Sequence, residues 1–110
     1  MKLSVIAPCY NEEESLEKFY QWNKAVLENL EYEYEIVLVN DGSSDSTGAV
    51  LDSIAERDDH VKVIHFRRNF GQTAAMMAGI DYSTGDIVIP MDSDLQNDPK
   101  DIPRLLEKME

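Results

Sequence analysis

Four short apolar runs, each followed by a segment with helical spacing, constrain the fold of this chain more than any other feature. The runs cover residues 3–8, 34–40, 61–66 and 87–91. Their lengths and their content of β-branched residues are typical of buried strands. Strands that alternate with helices predict a parallel sheet with right-handed crossovers and a helix layer on each face. The expected fold class is therefore α/β, with a single sheet.

The helices are predicted from apolar residues that recur every three or four positions. We expect them over residues 12–30 and 72–82. A second helix is expected around Val50, Leu51, Ile54 and Ala55, and a last one over a segment with an apolar stripe of Ile102, Leu105, Leu106 and Met109. One of Ser44, Asp45 or Ser46 is expected to cap the second helix.

Some element ends can also be predicted from local chemistry. Pro8 is expected to close the first strand, because it has no N–H for a central ladder. Asn11 is the expected N-cap of the first helix, with Glu14 as the acid of a capping box. Gly85 is expected to end the third helix.

Length and charge narrow the possible functions. The chain has 110 residues, which suits one domain over residues 1–110, and 22 acidic against 10 basic residues give a net charge of −12. Such a surface disfavours nucleic acid as a partner. An anionic ligand would need a cation between itself and the protein. Cys9 is the only cysteine, so the chain has no internal disulfide, which suits a reducing compartment. No signal peptide is visible, and no apolar run approaches the ~20 residues of a membrane span, so a cytoplasmic location is expected.

Acidic side chains follow two of the predicted strands. Parallel α/β sheets bind ligands at the carboxyl ends of their strands, where Asp41 and the pair Asp92 and Asp94 are expected to lie. Carboxylates suit Mg²⁺ or Mn²⁺, so one hypothesis is that the pair holds a divalent ion, which in turn holds a diphosphate. The alternative is a polar turn that caps the next helix. Asp41 has the same two interpretations, a pocket residue or a cap of the following turn.

The start of the first helix excludes one common nucleotide site. Dinucleotide-binding folds place a glycine-rich turn there and seat the pyrophosphate on backbone N–H groups. This chain has Glu12, Glu13 and Glu14 at that position and no glycine. Three carboxylates would repel a phosphate, so a diphosphate has to be held elsewhere.

Four blocks of sequence carry a resemblance to a known family. They are residues 4–14 (SVIAPCYNEEE), 36–47 (IVLVNDGSSDST), 68–71 (RNFG) with 78–79, and 85–99 (GDIVIPMDSDLQNDP). Together they resemble the inverting glycosyltransferases of family 2, and most of all the dolichol- or undecaprenyl-phosphate sugar transferases. The resemblance implies a GT-A fold, a Rossmann-like parallel sheet with helices on both faces. It covers the nucleotide-binding half alone, because enzymes of this family are at least twice as long.

The resemblance also implies roles for individual residues. Pro8, Tyr10 and Glu12 would line the pocket for base and ribose, and Asp41 would accept hydrogen bonds from the base. Asn69, Gly71 and Gln72 would lie beside the diphosphate or the sugar. Asp92 and Asp94 would be the catalytic and metal-binding acids of the D-x-D motif, with Ser93 and Asp92 also at the nucleotide, and the metal would be Mg²⁺ or Mn²⁺.

The activity implied by the resemblance is transfer of a sugar from a UDP- or GDP-linked donor to a polyprenyl phosphate, at the cytoplasmic face of the membrane in a longer protein. Two alternatives stay open: a non-catalytic nucleotide-binding fragment of the same fold, and a receiver-type signalling domain. The receiver fold needs an acid pair after its first strand, where this chain has Pro-Cys-Tyr-Asn, and a fifth strand, which the sequence lacks.

A truncated sheet would also expose an edge, through which the chain could self-associate.

Overall fold

The computed structural model describes residues 1–91. Its strands are β1 (Lys2–Cys9), β2 (Glu33–Asn40), β3 (Val61–His65) and β4 (Ile87–Pro90), and its helices are α1 (Leu16–Glu28), α2 (Thr47–Arg57) and α3 (Gln72–Tyr82). The predicted alternation of strand and helix is confirmed over this part of the chain. The predicted last helix lies outside the described residues.

All four strands run parallel, in the order β3-β2-β1-β4. The two central strands, β1 and β2, pair along their whole length, from Lys2 opposite Glu33 to Cys9 opposite Asn40. The α/β fold class with one parallel sheet is therefore confirmed. Because the strands are parallel, their carboxyl ends lie at one edge of the sheet, which we call the carboxyl edge.

Each face of the sheet has its own apolar core. On one face, α1 and α2 contribute fully buried residues such as Leu16, Phe19 and Leu51, which pack on side chains of the strands. On the other face, Ala75 of α3 packs on Ile6 and on two valines of β2, Val37 and Val39. The prediction of helices on both faces is confirmed.

Pro8 does not end β1, contrary to the prediction. The strand continues to Cys9, and Pro8 lies in register with Val39. The carbonyl of Ile6 accepts a hydrogen bond from the N–H of Met91 at 2.9 Å, so the even-numbered residues of β1 direct their backbone groups toward β4. Pro8 is one of them, and its missing N–H is therefore not needed in the ladder between β1 and β2.

Helix α1 starts later than predicted, at Leu16 with Ser15 as its N-cap. Asn11 does not cap it. Its backbone is left-handed (φ 51°), and its side-chain oxygen accepts a hydrogen bond from the N–H of Ser44 at 2.9 Å. Glu14 therefore does not belong to a capping box on Asn11, and the chain makes a turn before the helix begins.

Helix α3 has the predicted bounds, but Gly85 does not end it. Ser83 is the C-cap, and its N–H donates to the carbonyl of Ile80 at 3.1 Å. Gly85 lies against β1, where an added Cβ would come within 2.4 Å of the hydroxyl oxygen of Ser4. Gly85 therefore allows two backbone segments to approach closely, and it does not end a helix.

Strand β4 is less buried than predicted. Ile89 is buried, whereas Ile87 and Val88 are half-buried and Pro90 is exposed. The reason is its position at the end of the strand order, where β1 is its one strand neighbour within residues 1–91.

The buried carboxylate of Glu35, on β2, connects β1, β3 and the segment before β4 near the amino ends of the strands. It is 1% exposed and accepts hydrogen bonds from the Ser4 hydroxyl (2.6 Å) and the Thr84 N–H (2.6 Å), while the ammonium of Lys62 lies 2.7 Å away. Burial alone would raise the pKa of Glu35. These contacts outweigh it and lower the pKa to about 2.

A second buried acid, Asp58, connects α1 to the end of α2. It accepts hydrogen bonds from the Tyr20 hydroxyl (2.6 Å) and from the N–H of His60 (2.9 Å). Burial opposes ionisation of Asp58, but the hydrogen bonds outweigh it and lower the pKa to about 2.

Candidate functional site at the carboxyl edge

Three loops form the described part of the carboxyl edge. Loop 1 comprises residues 10–15 after β1, loop 2 comprises residues 41–46 after β2, and loop 3 comprises residues 66–71 after β3. Backbone hydrogen bonds tie the strand ends together. The N–H of Asp41 donates to the carbonyl of Cys9 at 2.8 Å, and the N–H of Phe66 donates to the carbonyl of Asn40 at 2.9 Å. Loop 2 therefore lies between the other two.

Asp41 binds loop 2 to loop 3 through its carboxylate. The side chain is 3% exposed. One oxygen accepts a hydrogen bond from the N–H of Phe70 at 2.8 Å. The other accepts from the N–H of Gly71 at 3.1 Å and from the side-chain amide of Asn69 at 3.2 Å. All three donors belong to loop 3, so Asp41 does not cap the turn that follows it in sequence.

The neighbouring Gly42 allows the two loops to touch. Its φ of +67° lies in the left-handed region, which favours glycine. An added Cβ would lie 2.1 Å from the carbonyl carbon of Arg68 and 2.3 Å from the nitrogen of Asn69. No other residue fits here unless loop 3 moves.

Loop 2 also holds loop 1. The N–H of Asn11 donates to the Ser43 hydroxyl at 3.0 Å, and the N–H of Glu12 donates to the hydroxyl of Thr47, the fully buried first residue of α2, at 2.9 Å. In the other direction, the N–H of Ser46 donates to a carboxylate oxygen of Glu13 at 3.1 Å. The three loops are thus one hydrogen-bonded unit with loop 2 at its centre.

Negative charge dominates loops 1 and 2. They line a cavity of about 250 Å³ through Asn11, Glu12, Glu13, Glu14, Ser15 and Asp45. Burial would raise the pKa of Asp45, but hydrogen bonds from the hydroxyl and N–H of Thr47 outweigh it and lower the pKa. The positive side chains of the three loops are Arg67 and Arg68, which are exposed on loop 3.

Carboxylates accept hydrogen bonds from backbone N–H groups at the start of α2 and just before α3. The N–H of Thr47, the first residue of α2, donates to Asp45 at 2.9 Å. The N–H groups of Phe70 and Gly71, which precede the first residue of α3, donate to Asp41. A phosphate at the start of α2 would meet the carboxylate of Asp45, so this helix end does not serve as an anion site.

The structure brings most of the predicted nucleotide-binding residues to this edge. Pro8 is near the end of β1, Tyr10 follows it with 47% of its surface exposed, Glu12 is in loop 1 and Gln72 is the first residue of α3. Asp41, Asn69 and Gly71 are in direct contact, as described above.

The predicted D-x-D residues, Asp92, Ser93 and Asp94, lie outside the described residues. They follow Met91, which is 5% exposed and hydrogen-bonded to β1 just past the carboxyl end of β4. Within residues 1–91, no group of three His, Cys, Asp or Glu side chains could hold a metal ion. The predicted metal site therefore depends on Asp92 and Asp94.

For three residues, the role of joining the loops was not predicted from the sequence: Asn11, Gly42 and Thr47. Two of them carried a usable signal. Asn and Gly are the residues that most readily adopt the left-handed backbone found at both positions, so each could have been interpreted as a turn. Thr47 carried no such signal, because its partner is distant in the sequence.

Comparison with known proteins gives a consistent picture. Residues 4–110 match the model of a family described as "Glycosyl transferase family 2". An undecaprenyl-phosphate 4-deoxy-4-formamido-L-arabinose transferase from Sodalis glossinidius is 48% identical over 107 residues, which are 96% of this chain and 33% of that protein. A bactoprenol glucosyl transferase from Shigella phage SfX is 46% identical over 98% of this chain and 35% of its own length. The chain thus spans about a third of the length of these relatives.

Solved structures share the fold. TarS 1–349 from S. aureus in complex with UDP-GlcNAc has a TM-score of 0.79 and 25% identity, covering 97% of this chain and 30% of that one. The mannosyltransferase PcManGT from Pyrobaculum calidifontis, in complex with GDP-Man and Mn²⁺, has a TM-score of 0.71 and 25% identity over 84% of this chain and 27% of its own. Within residues 1–91, no helix combines the length and apolar character that crossing a bilayer requires.

Proposed function

Since the chain belongs to glycosyl transferase family 2, we propose that its carboxyl edge binds the nucleotide diphosphate of a sugar donor and that the whole protein transfers this sugar to a polyprenyl phosphate. The observation that carries the proposal is the joining of loops 1, 2 and 3 into one surface, because these loops hold most of the residues expected at the nucleotide. The relatives named as undecaprenyl-phosphate and bactoprenol transferases support the lipid acceptor.

The proposed nucleotide pocket extends from loop 1 to loop 3. Pro8, Tyr10 and Glu12 would contact the base and ribose, and the exposed ring of Tyr10 is available to stack on a base. Asn69, Gly71 and Gln72 would lie beside the diphosphate or the sugar. Both UDP and GDP donors fit this proposal, because the structural neighbours include a UDP-GlcNAc and a GDP-Man complex.

The charge of the edge supports a divalent ion as the mediator. Loops 1 and 2 are acidic, and the carboxylate of Asp45 lies at the start of α2, so a bare diphosphate beside these loops would be repelled. Asp92 and Asp94 would hold Mg²⁺ or Mn²⁺, whose preference for oxygen ligands matches carboxylates, with Ser93 and Asp92 also near the nucleotide. When bound, such an ion stabilises the negative charge that develops on a departing nucleotide diphosphate.

The proposed acceptor simplifies the chemistry required of the protein. The phosphate of a polyprenyl phosphate is already an anion, so it can attack the sugar without a strong general base. The protein's own residues then have to hold donor and acceptor in contact and exclude water. A lipid acceptor also places the whole protein at a membrane, and we propose the cytoplasmic face.

A non-catalytic nucleotide-binding fragment is the second candidate, because the residues described at the carboxyl edge are ones expected to bind a nucleotide, whereas the acids expected to be catalytic are Asp92 and Asp94. The family assignment replaces the receiver-type interpretation. A transfer assay distinguishes the two remaining candidates: the chain is incubated with labelled UDP- and GDP-sugars, Mn²⁺ and undecaprenyl phosphate. Labelled lipid is the result expected of the transferase, whereas nucleotide binding without any lipid product supports the fragment.

The free edge of β3 supports one further proposal, self-association. Within residues 1–91, β3 pairs with β2 and with no other strand. An unpaired edge can add a strand from a second copy. Sedimentation should then show a dimer, and a clean monomer would contradict this proposal.

A further inference from the structure

We infer that His65 is a positioning residue for the nucleotide site, because its neutral ring holds the side chain of Asn40 and, through it, the backbone of loop 2. A proton gained by His65 releases loop 2 and weakens the binding of a nucleotide sugar. The inference rests on the proposed function, since the loops that His65 holds in place are the ones proposed to receive the nucleotide.

His65 is the last residue of β3, and its ring lies between β2 and α2. Its Nε2 is 2.7 Å from a carboxylate oxygen of Asp52, and its Nδ1 is 3.1 Å from the side-chain nitrogen of Asn40. An amide nitrogen donates and does not accept, so Nδ1 has to be the acceptor and carries no proton. The proton of the neutral ring is therefore on Nε2, which donates to Asp52.

The orientation of the Asn40 amide follows from a different neighbour. The backbone N–H of Ser43 donates to the side-chain oxygen of Asn40 at 3.0 Å. This oxygen therefore faces Ser43, which leaves the NH₂ group to face His65. The hydrogen bonds thus run in one direction, from loop 2 through Asn40 and His65 to Asp52. We call these four residues, Ser43, Asn40, His65 and Asp52, the His65 network.

The middle of the His65 network is closely packed. Asn40 is 8% exposed, so water has little access to its amide. An added Cβ at Gly48 of α2 would lie 3.0 Å from the amide nitrogen of Asn40 and 3.7 Å from Nδ1 of His65. The amide and the ring therefore pack against the backbone of α2. If the amide loses its acceptor on His65, a buried donor is left without a partner.

Ser43 is also the point at which loop 2 holds loop 1. Its hydroxyl accepts a hydrogen bond from the N–H of Asn11 at 3.0 Å, and the adjacent N–H of Ser44 donates to the side-chain oxygen of Asn11 at 2.9 Å. The residues on either side of Asn11 are proposed to contact the base and ribose. His65 is thus connected to the proposed nucleotide pocket through Asn40 and Ser43.

Protonation of His65 is incompatible with this arrangement. The added proton occupies Nδ1, so two donors, the ring N–H and the NH₂ group of Asn40, would face each other. Rotation of the amide by half a turn would restore this contact, but it would turn the NH₂ group toward the N–H of Ser43. One hydrogen bond of the His65 network is lost in either case, and the position of loop 2 is no longer fixed.

Charged groups on two elements act on the ring in opposite directions. Asp52, on α2, attracts a protonated ring, but 66% of its side chain is exposed and water screens the attraction. Arg67 and Arg68, which follow His65 on loop 3, are exposed and repel it. The neighbour on β2, Asn40, is uncharged. Because histidine side chains change their charge between about pH 5 and pH 8, the tests cover this range.

The first test uses the ligand-free chain. At about pH 8, nitrogen NMR of the imidazole should show a proton on Nε2 of His65 and none on Nδ1. As the pH is lowered to about 5, the amide signal of Ser43 should change with the same midpoint as the signals of the His65 ring. The opposite tautomer, or a Ser43 amide that does not follow the ring, would overturn the inference.

The second test compares two amide side chains at position 65. His65→Asn can place its amide oxygen near the position of Nδ1, facing Asn40, whereas the longer side chain of His65→Gln places its amide near Nε2, facing Asp52. At about pH 7.5 with Mn²⁺, the dissociation constant of a UDP- or GDP-sugar should match the wild type for His65→Asn and rise about tenfold for His65→Gln. Equal dissociation constants of the two variants would overturn the inference.

The third test adds the pH dependence, with His60→Asn as the matched control at the other histidine, which stacks on Tyr34 before the start of β3. Binding is repeated at about pH 5.5, where a nucleotide sugar keeps its charge because its diphosphate contains no monoester phosphate. The wild type and His60→Asn should bind about tenfold more weakly than at about pH 7.5. His65→Asn, whose amide does not titrate, should lose clearly less, and an equal loss would overturn the inference.

A failure of the proposed function gives a different result. If the wild type binds no nucleotide sugar at either pH, the proposed function fails, whereas the ring nitrogens and the Ser43 amide still test the role of His65.

Discussion

Replacing Glu35 by glutamine should remove a large, pH-dependent part of the stability of this fold. The carboxylate is 1% exposed and lies among Ser4, Lys62 and Thr84, which together lower its pKa from the ordinary 4.5 to about 2. At 1.36 kcal/mol for each tenfold change in proton affinity, this difference corresponds to about 3 kcal/mol. The Lys62 side chain is 44% exposed and partly screened by water, so we expect a loss of about 2–3 kcal/mol.

The sign of the pH dependence follows from the lowered pKa. A carboxyl that is more acidic in the folded state stabilises the fold at pH values above its unfolded pKa of about 4.5, and this contribution disappears as the pH falls toward about 2. The difference in stability between wild type and Glu35→Gln should therefore be constant near pH 7 and shrink between about pH 5 and pH 2.

Urea unfolding at pH 7 and at pH 3 measures this difference. Glu33→Gln is the matched control, because Glu33 is on the same strand but exposed, and it should change the unfolding free energy little at either pH. Glu35→Gln with wild-type stability at pH 7, or with the same deficit at both pH values, would refute the reasoning.

Two further substitutions test contacts between the layers. Tyr20→Phe removes the hydroxyl that donates to Asp58, so the free energy of unfolding should fall by about 1–2 kcal/mol. The control Tyr82→Phe, at a position that is 64% exposed, should not change it, and equal effects of the two substitutions would contradict a stabilising role of the Tyr20–Asp58 hydrogen bond. Gly79→Ala would place a Cβ 2.3 Å from a methyl carbon of Ile6 and push α3 away from the sheet. Thermal unfolding should therefore show a loss of stability of about 1–3 kcal/mol, although alanine has the better helix propensity, and a gain in stability would contradict the close packing of α3 on Ile6.

The sequence predicted the strands and α3 well because their signals are local. Strand positions follow from apolar runs, and the bounds of α3 follow from a segment dense in Ala and Met between Gln72 and Tyr82. The start of α1 and the role of Pro8 were predicted wrongly for the opposite reason. Asn11 is held by loop 2, and the place of Pro8 depends on which neighbour its backbone faces; neither can be inferred from adjacent residues.

The site was predictable in its location but not in its internal contacts. Parallel strands bring their carboxyl ends together, so the edge and most of its candidate residues could be named from the sequence. The sequence left two roles for Asp41, a pocket residue or a cap of the next turn. The structure shows a third set of partners, in loop 3, because a hydrogen bond between distant segments depends on how closely the tertiary structure brings them together.

The measurement that tests the central proposal most directly is a calorimetric titration of the chain with UDP and with GDP, each with and without Mn²⁺. An acidic edge that binds a diphosphate through a shared divalent ion predicts binding of at least one nucleotide with Mn²⁺, little binding without it, and loss of the metal-dependent binding in a folded Asp94→Ala variant. Binding of equal strength with and without Mn²⁺, or retained metal-dependent binding in Asp94→Ala, would contradict it.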